Sequence, residues 1–126
     1  MIQPRWLSVS EVLRLHEIQI ERYGGRAGIR DRGLLQSAVI RPQNRYHYDG
    51  VGEIVELAAT YAVAISANHP FFDGNKRTAF YAMAVCLDLH ATPLSAPEDS
   101  ATEAMLKLAA SDWDAARFLT WLRDWV

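Results

Sequence analysis

The feature that most restricts the fold is a pair of helical segments separated by a short polar loop. From Thr78 to Leu89 the chain reads TAFYAMAVCLDL, with one charge in twelve positions. A helix apolar on nearly every side has no solvent face and belongs at the centre of a bundle. Upstream, Ile54, Leu57, Ala58, Tyr61, Ala62 and Ile65 recur at three-and-four spacing between Glu53 and about Asn68, the pattern of an amphipathic helix. His69-Pro70 is expected to end that helix, because proline pushes the preceding residue toward extended geometry and donates nothing to the helical ladder.

The remaining signals are helical too. Ser8-Val9-Ser10-Glu11 reads as a capping box opening a helix toward Tyr23, where Gly24-Gly25 supplies a stop. Asp31 is placed to cap a short helix carrying Leu34, Leu35, Ala38 and Val39, which Pro42 should cut off. The stretch 42–50, PQNRYHYDG, then reads as a loop with Tyr46 and Tyr48 packed down on the surface. Beyond Pro93 and Pro97, two further helices run through Met105 and Leu108, and through Phe118, Leu119 and Leu122. Strand-like alternation is never sustained, and there is no repeat or linker. The expectation is an all-α single domain over residues 1–126, with about six helices around a central apolar one.

Composition narrows the function classes. At 126 residues the chain suits one core and one site, and a net charge of -2 with pI near 6.0 gives no global basic field for nucleic acid. Any anion site must be local. The start MIQPRWLSVSEVLR lacks the charged leader and apolar stretch of a secretory signal, and no run approaches the ~18 apolar residues of a membrane span, so the expected address is the cytoplasm. The single cysteine, Cys86, cannot form an intramolecular disulfide; its neighbours in MAVCL mark it as a buried core thiol.

The loop between the two helices, His69-Pro70-Phe71-Phe72-Asp73-Gly74-Asn75-Lys76-Arg77, carries the chemistry. Helix N-termini have partial positive charge and free N–H groups, so Lys76 and Arg77 oppose the local field by ~0.3–1 kcal/mol each. The placement makes sense if a phosphate accepts the free N–H groups and pairs with both cations. Gly74 fits, since it permits the unusual dihedrals of an anion nest. Asp73 beside an anion calls for Mg²⁺, which is usually held by one carboxylate together with substrate phosphates. His69 adds a side chain of the type that accepts protons near neutral pH. Singly, each residue has a plain structural explanation: a histidine before proline, an N-cap aspartate, a solvated Lys-Arg pair. Together, within nine residues, they make a site for phosphoryl-type transfer to a hydroxyl. The P-loop spacing G-x-x-x-x-G-K-[ST] is absent and no strand precedes the loop.

These residues resemble the Fic superfamily, marked by H-P-F-x-[DE]-G-N-G-R, and within it the death-on-curing (Doc) branch, marked by H-x-F-x-[DN]-[AG]-N-K-R. HPFFDGNKR matches the second without a mismatch, and the resemblance extends through RYGG, GIRDRGLL and ELAATYAVAI. It implies a bacterial or phage toxin of a toxin–antitoxin pair, using ATP and Mg²⁺ to modify a protein. His69 would be the base, Asp73 the Mg²⁺ ligand, Gly74 and Asn75 anion-hole residues, Lys76 and Arg77 phosphate-binding cations, and Phe71 the loop anchor. The stretch Tyr46 to Asp49 falls where the family has a target-docking flap. Lys76 stands where AMP-transferring Fic enzymes have glycine; in the Doc branch that lysine accompanies a presented γ-phosphate, implying a kinase acting on a threonine of elongation factor Tu and arresting translation. The self-inhibitory pattern [ST]-x-x-x-E-[GN] is absent from the sequence, which fits a separate prevent-host-death-type antitoxin. An AMP transferase that tolerates Lys76, and a non-catalytic nucleotide-binding module, are the competing expectations.

Overall fold

Six helices account for the architecture: α1 Val9–Tyr23, α2 Arg32–Tyr48, α3 Ile54–Asn68, α4 Asn75–Leu89, α5 Glu98–Ala109 and α6 Ala115–Arg123. The computed structural model describes residues 3–126, and among these the protein is all-α, its only β pairing an isolated bridge between Ile29 and Phe71. No helix among the described residues is long and apolar enough to cross a membrane.

Helix α3 is the hub. It packs against α2, α4, α5 and α6, and every residue from Leu57 to Ala62 is buried. Helix α4 lies beside it and also touches α1 and α5, with no exposed residue between Thr78 and Leu87. The small side chains Ala58, Ala62, Ala79 and Ala82, all fully buried, thin the facing surfaces of these two helices. Larger Leu35, Tyr61, Ile65, Met83 and Phe118 fill the remaining core. Tyr61 has its hydroxyl accepting the Leu7 N–H at 2.8 Å, and burial pushes its pKa up to about 12. Cys86 is buried as expected, and desolvation raises its thiol to about 11, which makes it inert at neutral pH.

The caps largely follow the sequence. Ser8 and Glu11 form a reciprocal capping box on α1, and the Glu11 carboxyl is held below its usual range by the Ser8 backbone N–H and then by Arg5. Asp31 caps α2 through Leu34 N–H.

Helix α2 departs from expectation, because it passes through Pro42 and continues to Tyr48. The expected loop at 42–50 and the flap at Tyr46–Asp49 are therefore mostly helix, with Asp49 as the C-cap. An interior proline costs about 3 kcal/mol, and tertiary contacts offset it. Pro42 is the last member of a buried stripe with Leu35, Ala38 and Val39. One turn on, Arg45 pairs with Glu56 at 2.9 Å and donates to Thr60 at 3.0 Å, which binds the late turns of α2 to α3. Tyr46 packs edge-on to Trp6 with ring centroids 5.4 Å apart, while Tyr48, expected to pack down, is 83% exposed.

The end of α3 also differs. His69 is its C-cap in left-handed geometry, φ 50° and ψ 54°, rather than extended. The α3 terminus is closed by His69 N–H donating to the Ile65 carbonyl at 3.0 Å.

Candidate active site

The loop from His69 to Gly74 joins the two most closely packed helices, so its ends are fixed by the core. Phe71 is fully buried and stacks on the His16 ring, with centroids 3.8 Å apart and planes 7° from parallel. The Asn75 side chain clasps the same residue, its Oδ1 accepting the Phe71 N–H at 3.0 Å and its Nδ2 donating to the Phe71 carbonyl at 2.9 Å. His16 Nε2 donates to the Asp73 carbonyl at 2.8 Å, since a carbonyl can only accept. Buried inside α1, His16 thus holds the loop by stacking and by a hydrogen bond.

The strap 24–31 braces the loop from outside. Arg26 N–H donates to Asp73 Oδ2 at 2.6 Å, Phe72 N–H donates to the Gly28 carbonyl at 3.4 Å, and the Arg26 guanidinium lies 3.7 Å from the centre of the Phe72 ring. The approach is close enough that a Cβ on Gly25, itself at φ 113°, would come within 3.0 Å of the Asp73 Cβ.

Gly74 is the N-cap of α4 in left-handed geometry, φ 79° and ψ 15°. A Cβ there would meet His16 and Ile20 only at ordinary contact distance, 3.5 Å, so the backbone angle is what calls for glycine. Having no side chain, Gly74 cannot cap, and no acidic residue stands in the first turn. Thr78 N–H makes the first intrahelical bond, to the Gly74 carbonyl at 3.0 Å. The N–H groups of Asn75, Lys76 and Arg77 therefore face outward without an intrahelical acceptor, and two exposed cations stand beside them. Neither Lys76 nor Arg77 makes an ion pair among the described residues; Arg77 lies over the Tyr23 ring at 4.1 Å.

All six residues singled out from the sequence, His69, Asp73, Gly74, Asn75, Lys76 and Arg77, line one cavity of about 690 Å³. That volume suits a nucleotide-sized ligand. The rest of the lining comes from Tyr23, Phe72, Phe80 and Tyr81, and from Ala101, Thr102, Met105 and Leu106 of α5. The lining combines polar and cationic groups with apolar and aromatic ones. Tyr46–Asp49 does not line it.

Asn75 needs a more limited role than the motif suggests. Its side chain is 5% exposed and wholly occupied by Phe71, so only its backbone N–H is available to an anion. For Mg²⁺, the fit rests on Asp73. Its Oδ2 is taken by Arg26 N–H, while its Oδ1 has no donor among the described residues and the residue is exposed and lines the cavity. No cluster of three or more metal-ligating side chains occurs among the described residues. One free carboxylate oxygen suits an ion that arrives with phosphate oxygens and water as its other ligands.

Reasoning from the sequence missed His16, Arg26, Arg30 and the α5 wall. The available signal was His16 itself: with Val12 and Gln19 it falls on the inward face of α1, and a polar residue on such a face is informative.

The sequence matches the Fic/DOC family over residues 6–87. It is 41% identical over 75 residues to "Protein kinase doc" of Escherichia phage P1, covering 60% of each chain, and thus less than two thirds of the phage protein's length. It is 37% identical over 95 residues to "Toxin Doc" of Mycolicibacterium smegmatis, covering 73% of each chain.

Proposed function

This chain belongs to the Fic/DOC family, and from that premise we propose that it is the toxin of a toxin–antitoxin pair and a protein kinase that moves the γ-phosphate of ATP to a protein hydroxyl. The observation that carries the reading is the start of α4, where three outward N–H groups, Lys76 and Arg77 converge on a cavity that His69 and Asp73 also line. The names of the two relatives, a protein kinase and a toxin, support the same reading.

Each residue then has a step. The N–H groups of Asn75, Lys76 and Arg77 donate to the phosphate chain at the positive end of α4. Arg77 grips through its planar fork, and Lys76 adds a point charge where an AMP-transferring enzyme would need space. His69 takes the proton of the attacking hydroxyl as its oxygen bonds to the γ-phosphorus; the bond to the bridging oxygen breaks and ADP leaves. Asp73 Oδ1 would hold Mg²⁺, which supplies charge neutralisation for the phosphates. A threonine of elongation factor Tu is the proposed acceptor, translation arrest the outcome, the cytoplasm the site of action, and a prevent-host-death-type protein the antitoxin.

The test is incubation with elongation factor Tu and ATP labelled at either the α- or the γ-phosphate. Transfer of γ-label is expected; transfer of α-label sinks the kinase reading in favour of an AMP transferase. Arg77→Ala should weaken ATP binding about 10- to 150-fold, the equivalent of a charge-assisted contact of ~1.5–3 kcal/mol. The fold should persist, since the side chain is exposed and, among the described residues, makes no hydrogen bond or ion pair, lying over the Tyr23 ring. Unchanged ATP affinity by calorimetry would show the anion site to be misplaced.

A further inference from the structure

Arg30 binds three successive carbonyls of the chain that leads into the site. Its Nε donates to the His69 carbonyl at 2.7 Å and its Nη2 to the Asn68 carbonyl at 3.0 Å. Its backbone N–H donates to the Pro70 carbonyl at 2.7 Å, an acceptor shared with Asp31 N–H at 3.1 Å. Arg30 makes no ion pair among the described residues, so its guanidinium is committed to these carbonyls.

The residue at the centre of this clamp is in an uncommon state. His69 sits at positive φ and precedes proline, and non-glycine residues hold such geometry only where surrounding contacts over-determine it. On its own side, the imidazole makes no hydrogen bond among the described residues. Where the His69 Cβ points thus follows from its backbone, whose carbonyl Arg30 holds while the N–H is held by the Ile65 carbonyl.

We propose that Arg30 is the positioning residue of His69, fixing through the paired 68 and 69 carbonyls the left-handed turn that presents the imidazole to the cavity. The inference rests on the reading of His69 as the base. A plain helix C-cap would need only a positive charge near the last carbonyls, which lysine also supplies. Holding two carbonyls through two nitrogens at fixed positions, Nε and Nη2, is what the planar fork does and what a single ammonium nitrogen does not reproduce. Arg30→Lys therefore separates the two roles: it keeps the charge and removes the fork.

The experiment compares the full chain with its Arg30→Lys and Arg30→Met variants. Steady-state transfer of γ-label from ATP to elongation factor Tu is measured beside thermal melting and the NMR resonances of His69 without nucleotide. Misplacing a reacting group by about 1 Å costs up to ~10²-fold, so both variants should lose about ten- to a hundred-fold in kcat. KM for ATP should stay within about two-fold, because the phosphate contacts are untouched. The His69 Cα resonance should leave its left-handed position or broaden by exchange. A kcat near wild type in either folded variant overturns the proposal, as does a loss that merely tracks the folded fraction, including failure of both variants to fold. If the wild-type protein transfers no phosphate, the kinase reading fails and the NMR comparison judges Arg30 alone: an unchanged His69 Cα resonance in Arg30→Met overturns the positioning role, and a displaced one upholds it.

Discussion

His69→Ala should abolish most γ-phosphate transfer while leaving the protein folded and able to bind ATP. General base catalysis is typically worth ~10²–10⁴ in rate, and that is the expected fall in kcat. The side chain is exposed and makes no hydrogen bond among the described residues, so deleting it opens no cavity and orphans no partner. The one structural cost lies in the backbone, because alanine is less at ease than histidine at φ 50°. His69→Asn controls for this, asparagine being well tolerated in that region, and should be equally inactive. ATP affinity by calorimetry should stay near wild type, since the cations and N–H groups that bind phosphate belong to α4. The measurement also separates enzyme from binding module: toxicity undiminished in His69→Ala at equal expression would mean that the cavity holds its ligand without turning it over.

What the sequence revealed and what it hid divide along a physical line. Helices α3 and α4 were legible because burial imposes a local period on apolar residues, and the six singled-out residues that line the cavity could be picked out because they fall within nine positions of the chain. Pro42 misled because its penalty is local whereas the contacts that offset it, Arg45 with Glu56 and Thr60, cross to another helix. The left-handed turn at His69 was hidden for the same reason: proline's preference is a neighbour effect, and Arg30, which overrides it, stands 39 residues away. His16 is 57 residues from the carbonyl it holds. A motif displays residues that stand close together in the chain, while those that brace them, His16, Arg26 and Arg30, are scattered and become visible only when it is folded.

Asn75 shows how far a motif position can depart from the role its neighbours suggest. Lying between an anion-nest glycine and two cations, it invites a ligand-binding role for its side chain. Its amide instead completes a two-bond ring with the backbone of Phe71, a residue with no solvent exposure. Asn75→Ala would leave the Phe71 N–H and carbonyl without their partner in a place where water cannot readily replace it. Each buried orphan costs ~1–3 kcal/mol, and the better helix propensity of alanine returns only about 0.5 kcal/mol. A net loss of ~1.5–5.5 kcal/mol, from two such orphans, is large against a typical total of ~5–15 kcal/mol. For a chain of 126 residues it corresponds to a fall in Tm on the order of 10 °C. The effect on transfer should be severe as well, because releasing Phe71 frees the span that carries both His69 and Asp73. Arg77→Ala, two residues further along α4, should by contrast barely move Tm while weakening ATP binding. Chemical and thermal denaturation of the two variants side by side therefore tests the division of labour: equal Tm values would mean that Asn75 serves the ligand rather than the loop.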